Sequence, residues 1–495
     1  MRRIVSASAF LLLAASLAGG ATLDPKRVDA IVTATQQAWH LPGVSVAIVK
    51  DDRVVHLGGY GVKESGSRAP VTPSTLFQIA STSKAFTTTA MAMLADEKKL
   101  SWDDPVRKHL PYFHLADPCA DSMVTLRDIV SHRTGLSRHD ELWDNSPWSR
   151  TEVVRRIGSA KLSRPFRSSY QYHNILFIAA GEVVASAAGT TWDDFVRTRI
   201  FEPLGMTSTR TLHAEWTAAA DRASGHHYDW KTGTITVTPG FDVDNLGPAG
   251  SIMSNARDMA NWVRFHLGDG TFEGKKLVSA EALAETKTPH TIIRIEGSSR
   301  DVHPVTNILT YGLGWNVSDY RGELLVSHGG ALNDFRTQVA LLPKQKAGVV
   351  VMTNIDRGWG AIAIRNALLD LLVGRSDRDW SAHFLALDKR LIEEGEKAKR
   401  EREAKRHRDT RPSREMEAYA GTYESPSHGA AAVVLENGRL ILRWSRLEIP
   451  LAHWHYDVFR ATTPDEEIDE EVVFRLDPEG NVKTLTMFEE EFVRK

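Results

Sequence analysis

Residues 76–94 read LFQIASTSKAFTTTAMAML, and the polar residues inside this apolar run organise the reading of the chain around it. Leu76 to Ala80 is mostly apolar, the composition of a segment that carries the next residues into a dry interior. A helix is predicted over residues 83–94, opening at Ser81-Thr82-Ser83-Lys84. Side chains three apart share one helix face, so the Ser81 hydroxyl and the Lys84 amine can meet. A serine hydroxyl is a weak nucleophile until a neighbouring base takes its proton. A lysine serves as that base only when burial or nearby positive charge keeps part of it neutral. The helix N-terminus adds a positive partial charge that favours a developing alkoxide. An S-x-x-K pairing alone is a frequent chance match, so its weight depends on the rest of the chain.

Upstream, Val44 to Val49 (VSVAIV) reads as a buried strand. The turn residues Asp51 and Asp52 lead into a second strand, Arg53 to Gly61, completing a hairpin. Downstream, helical patterns occupy residues 125–131 and 174–188, and strand patterns return at 324–328, 337–342 and 348–352. Helices held between early and late strands predict an α/β domain. Its single antiparallel sheet is assembled from both ends, with a helical portion inserted. Residues 361–372 close it as a helix. Residues 389–414 then turn abruptly charged, the pattern of a solvated helical linker laced by close opposite charges. From Met416 onward, short strands are predicted at 419–423, 431–435, 440–444, 471–476 and 484–488, separated by turn pairs such as Asn437-Gly438. That is a small all-β, barrel-like domain. The expected boundaries are 22–375 for the first domain, 376–414 for the linker and 415–495 for the second.

Of the 495 residues, 42% are hydrophobic and 25% charged, and the formal net charge is -2. Nothing in that balance calls for a nucleic acid or an anionic membrane as partner. Arg2 and Arg3 precede an apolar run from Ile4 to Leu17 and the small residues Ala18, Gly19, Gly20 and Ala21. This is the order of a secretory signal peptide, over residues 1–21, and the run is short for a bilayer span. A periplasmic or secreted protein with no stable membrane span after signal removal is expected. The only cysteine is Cys119, so no intramolecular disulfide forms; a buried, inert thiol is expected there.

Two further segments carry chemistry. In Tyr172-His173-Asn174, Tyr and Asn point the same way if the segment is extended or a turn, which suits a helix starting near Asn174. A phenol beside a cationic lysine can be held as phenolate and shuttle protons, and Asn offers a substrate amide both a donor and an acceptor. The bland alternative is a core tyrosine followed by a helix-capping Asn. Ser327-His328-Gly329-Gly330 ends a strand, where glycines admit close backbone approach and His328 can meet an acyl or carboxylate group with a pH-dependent charge. The alternative is a strand-end turn with a surface His. Alternation puts His453 and His455 on one strand face, and His226-His227 and His139-Asp140 are also adjacent pairs. None has a third ligand nearby in sequence, so no metal is assigned.

Taken in chain order, the three elements resemble those of class C β-lactamases, low-molecular-weight penicillin-binding proteins, D-amino-acid-specific peptidases and related esterases. In that clan S-x-x-K, Y-x-N and K/H/W-x-G elements line one cleft; here they are Ser81/Lys84, Tyr172/Asn174 and His328/Gly330. Further matches are Leu100-Ser101-Trp102-Asp103-Asp104-Pro105-Val106, residues 125–136 (TLRDIVSHRTGL), Pro248-Ala249-Gly250 with Asp258, Tyr311-Gly312-Leu313-Gly314-Trp315, and Met352-Thr353-Asn354. The likeness spans roughly residues 25–375. It implies a β-lactamase/transpeptidase-like fold, Ser81 as nucleophile, Lys84 and Tyr172 as its proton acceptors, and Asn174, His328 and Gly330 as substrate-binding. It also implies an oxyanion hole from the amides of Ser81 and Ala331, and no cofactor. Residues 419–423 (YAGTY) through 453–457 (HWHYD) are similar to a lipocalin-like β domain appended to some peptidase-like members. One departure stands out: His328 occupies the place where lactamases and transpeptidases carry Lys. A histidine is mostly uncharged at neutral pH, so weak recognition of a free carboxylate and poor β-lactam turnover are expected. The expected substrate is therefore a small acyl, peptide or ester compound, cleaved by a serine peptidase (D-specific in one version) or esterase. The competing readings are a β-lactam-binding protein or weak β-lactamase, and a non-catalytic scaffold or sensor.

Overall fold

A computed structural model describes residues 23–495, apart from 145, 241, 333 and 464–467. The expected signal peptide falls outside the described residues. Among those described, the central element is an antiparallel sheet of eight strands. From one edge its strands are Arg53–Gly61, Gly43–Lys50, Ala347–Thr353, Phe335–Leu342, Glu323–Leu332, Asn316–Tyr320, Leu309–Tyr311 and Thr291–Ile293. The N-terminal hairpin thus pairs directly with the late strand Ala347–Thr353, Val46 opposite Val351 and Ile48 opposite Val349.

The strand VSVAIV has no polar alternation because both of its faces are covered. Val44, Val46 and Ile48 pack into one core with Trp39, Ile364 and Leu368, whereas Ala47 and Val49 face the other core, with Phe86, Phe177 and Trp262. The same alternation fixes the strand Glu323–Leu332. Val326 and Leu332 belong to the core on the helical-insert side and Leu325 to the opposite one. His328 and Gly330 therefore face the insert. There the helix Ser83–Asp96 is buried from Ser83 through Leu94, enclosed by protein on every face although it carries Ser83, Lys84 and three threonines.

Several elements differ from the sequence expectation. The helix expected at 125–131 is one short turn, Leu126–Ile129, closed by a capping box between Thr125 and Asp128. Asp128 is buried and bound by Arg133 and Arg167, so its charge anchors tertiary structure rather than a helix surface. The helix Pro25–Trp39 and the short strands at 291–293, 309–311 and 316–320 were not expected. The charged run belongs to a 25-residue helix, Trp380–Ala404, whose first turns bury Trp380, Phe384 and Leu387. Its later, charged turns stand mostly in solvent. Cys119 is exposed rather than buried.

The C-terminal region is a closed barrel of eight antiparallel strands between Gly421 and Arg494. Its interior is filled by the rings of Tyr419, Tyr423, Phe459 and Phe474, stacked edge to face. The strand Leu447–His455 shifts register between His453 and His455, so alternation breaks there and the two histidines do not form the expected matched pair. Among the described residues no single helix is long and apolar enough to cross a membrane.

Candidate active site

The segment leading to Ser81 is clamped from two sides. Phe77 and Gln78 pair with Ser254 and Met253, and the Ile79 amide donates to Ile252 O at 2.9 Å. On the other side the strand Glu323–Leu332 presses against it: a Cβ added to Gly330 would lie 2.2 Å from Ile79 O. Gly330 thus admits the protein's own backbone at a close approach, where the sequence reading had placed a substrate's. Between these clamps Ala80 adopts φ +49°, a left-handed conformation that non-glycine residues seldom take. It turns the chain sharply into the helix and leaves Ser81 partly exposed between buried Ala80 and Thr82.

Lys84 Nζ lies 3.0 Å from Ser81 Oγ, 2.7 Å from Asn174 Oδ1 and 2.9 Å from Ala249 O. The side chain is wholly buried. Loss of solvation drives the ammonium pKa well below its ordinary value; Asp140 opposes this and Arg138 reinforces it. Burial thus favours the neutral amine of Lys84, and a serine hydroxyl lies within its reach.

The Tyr172 ring sits 4.8 Å from Lys84 Nζ. Removal from water raises its phenol pKa, more than the hydrogen bond to Ser81 and the nearby Arg138 lower it. The phenolate expected from the sequence is thus not what this environment favours: the same dry surroundings push lysine and tyrosine both toward their uncharged forms. His132 props the Tyr172 ring, its own ring 4.4 Å from those of Tyr172 and Tyr311. Burial, then the neighbouring Lys84, holds His132 far below the usual imidazole range.

Asn174 ends in two internal hydrogen bonds. Its Oδ1 accepts from Lys84, and its Nδ2 donates to Asp140 Oδ1 at 2.9 Å. Both amide ends expected to face a substrate are engaged by the protein. Asp140 also accepts from Trp143 Nε1 at 2.7 Å and from Arg138 Nε at 2.7 Å. Arg138, Asp140 and His132 had no role in the sequence reading of this cleft. The only signals were that Asp140 follows His139 and that His132 lies within the 125–136 resemblance.

His328 is buried in its strand. Its Nδ1 donates to Gly329 O at 2.7 Å and its Nε2 accepts from the Tyr311 hydroxyl at 3.0 Å. Burial and the nearby Lys84 lower its pKa to about 3. It stays neutral at any ordinary pH, so the carboxylate-binding role expected in its charged form has no charge behind it. Ala331, one residue past Gly330, is exposed.

The β-barrel touches the loop that carries these groups. His428 Nε2 lies 2.7 Å from Glu141 Oε1, the residue after Asp140. The Trp148 and Trp444 rings meet edge to face at 6.0 Å. On the far side Arg402 pairs with Asp469 and Arg406 donates to Trp454 O, securing the long helix to the same barrel.

Comparison with known proteins places this geometry. Residues 405–495 match a domain of unknown function, DUF3471. The chain is 29% identical over 485 residues to the unguisins hydrolase ungD' of Aspergillus campestris, covering 91% of this chain and 86% of that one. It is 27% identical over 335 residues to Protein flp of Staphylococcus aureus, covering 67% and 63%. Among solved structures it is similar to the octameric penicillin-binding protein homologue from Pyrococcus abyssi, with a TM-score of 0.61 at 21% identity over 95% of this chain and 100% of that one. It is also similar to a class C beta-lactamase from Rhodobacter sphaeroides, with a TM-score of 0.54 at 25% identity over 72% and 99%. The match to the Beta-lactamase family model runs over residues 28–373, from the first helix to the last helix of the sheet domain, and the chain belongs to that family.

Proposed function

We propose that this protein is a serine hydrolase that works through an acyl-enzyme on Ser81, and that its substrates are peptides or esters. The observation that carries the reading is the 3.0 Å approach of the buried Lys84 amine, its pKa lowered by burial, to Ser81 Oγ. Lys84 takes the hydroxyl proton as Ser81 attacks the carbonyl. Tyr172, protonated and hydrogen-bonded to Ser81, relays a proton to the leaving group. The tetrahedral oxyanion rests on the amides of Ser81 and Ala331, donors worth about 3 to 4 kcal/mol each in comparable sites. Water then hydrolyses the ester, activated by the same pair. Asn174 and Asp140 act behind Lys84, holding its amine on the serine. The name unguisins hydrolase, borne by a relative aligned over most of this chain, supports catalysis over a scaffold role.

Neutral, buried His328 argues against strong binding of a free carboxylate and hence against efficient β-lactam turnover. Slow acylation by a β-lactam is the second reading, favoured by the likeness to a class C beta-lactamase. One experiment separates the two. Intact protein and Ser81→Ala are presented with acyl esters, D- and L-amino-acid amides and a penicillin, and the Ser81 peptide is weighed after denaturation. Turnover of esters or amides, lost in Ser81→Ala, supports the first reading; a stable penicilloyl adduct without other turnover supports the second. Activity that survives in Ser81→Ala would sink both. We further propose secretion or periplasmic export through residues 1–21, which N-terminal sequencing of the exported protein tests.

A further inference from the structure

We propose that His139, His428 and Glu490, with Glu141 as a fourth ligand, form a binding site for one divalent transition-metal ion of the zinc class at the seam between the hydrolase domain and the barrel.

One donor atom from each of His139, His428 and Glu490 lies within 4.8 Å of the others. Glu141 Oε1 is 2.7 Å from His428 Nε2 and 3.4 Å from His139 Nδ1, so this carboxylate already bridges both imidazoles. A zinc ion needs ligands at about 2.0 to 2.2 Å, and donors this close reach that shell by side-chain rotation. Two imidazoles and two carboxylates suit zinc, cobalt or nickel rather than the all-oxygen shells that calcium and magnesium take.

Burial and charge point the same way. His428 is fully buried and His139 nearly so. Two of the four side chains are carboxylates at a protein seam, and a dication would neutralise their charge. Arg138, on the same loop as His139 and Glu141, is committed to Asp140. Outer contacts also aim the ligands. Ser427 Oγ lies 2.7 Å from His428 Nδ1, leaving Nε2 directed at the cluster, as metal-bound histidines are usually held.

The ligands come in pairs from the two domains, which is why the sequence around His139 offered no third one. An ion here would tie the barrel to the loop that carries Asp140.

The test uses full-length protein in a Cys119→Ser background, so that the exposed thiol does not compete. After chelator treatment and dialysis, titration with Co(II) should give visible absorption bands that saturate at one equivalent, and Zn(II) should displace the cobalt and raise the melting temperature. Glu490→Gln and His428→Gln should each weaken binding by about tenfold or more, with circular dichroism checking the fold. Glu490 is partly exposed, so its conservative variant reads the site even where His428→Gln fails to fold. No saturable binding by the parent protein overturns the proposal, and so does binding that Glu490→Gln leaves unchanged.

Discussion

Lys84 Nζ and Asn174 Oδ1 are 2.7 Å apart, and the other end of the same amide is held by Asp140. The Lys84 amine is therefore positioned by a relay that begins on a loop near the protein surface. Asn174→Ala removes the link while leaving Ser81 and Lys84 in place. A fall in kcat of roughly 10- to 100-fold with little change in KM is expected, because an interaction that orients the reacting groups is lost. A pure KM effect would mean that Asn174 serves substrate binding instead.

The pH profile is set by Lys84. Burial holds its pKa well below the usual value, and in the proposed mechanism the active form is the free amine. The acylation rate should rise with pH through the lowered pKa and level off well below the ordinary lysine value of about 10.4. The unfolded chain binds a proton that the native state does not across that same window, so this residue makes stability rise with pH there. Lys84→Met should slow acylation by about 10³-fold or more and abolish the acidic limb; a limb that persists assigns the base elsewhere.

Acid stability depends on the buried histidines. His328 and His173 are both lowered to about 3, chiefly by burial. Each is neutral in the native state while the unfolded residue protonates near 6.5, so their contribution is complete above that value and is lost as pH falls toward 3. At pH 4.5 the loss amounts to roughly 2 to 3 kcal/mol for each. Urea midpoints at pH 7 and 4.5 measure it, and His328→Gln should narrow the difference between them.

Substrate preference can be moved at the same position. His328→Lys introduces a charge that the neutral imidazole lacks, on the strand face that points to Ser81. Penicillin acylation, followed by mass spectrometry, should speed up by about tenfold or more, the equivalent of at least 1.4 kcal/mol. An unchanged rate would show that the missing cation is not what limits β-lactam recognition.

Gly330 is the steric test. An added methyl would meet Ile79 O at 2.2 Å, on a clamp that sets Ser81. Gly330→Ala should cost about 1 to 3 kcal/mol of stability and more activity than stability, since the strand and the nucleophile separate together. Thermal melts and kcat on one preparation compare the two.

What could be read from the sequence divides by range of interaction. Ser81 with Lys84, and Tyr172 with Asn174, were legible because their spacing alone brings them together on a helix or turn. The strand VSVAIV was legible because burial on both faces writes a continuous apolar run. Arg138 and Asp140 were not, because their role arises only where their loop meets Tyr172 and Asn174. The missed helix Pro25–Trp39 buries only Val28, Val32, Thr35 and Trp39, a stripe thinned by exposed polar residues, although Asp24 and Pro25 mark its start. In the barrel, the bulge at His453 and His455 broke the alternation on which strand reading depends. His328 was already expected to be mostly uncharged and Tyr172 able to become a phenolate; how far burial pushes both toward neutrality was not legible, because sequence shows which groups can ionise but not how dry their surroundings are.

A sheet joined from both ends of its domain also imposes a schedule on synthesis. Ser81 and Lys84 leave the ribosome about 250 residues before Gly330 and Ala331, an interval of roughly 12 to 50 s at ordinary elongation rates. Until that strand arrives, Ser81 has neither its steric clamp nor the second oxyanion donor of the proposed mechanism. On the proposed mechanism the nascent chain is therefore chemically silent through most of its translation, and its serine becomes reactive only as the domain closes.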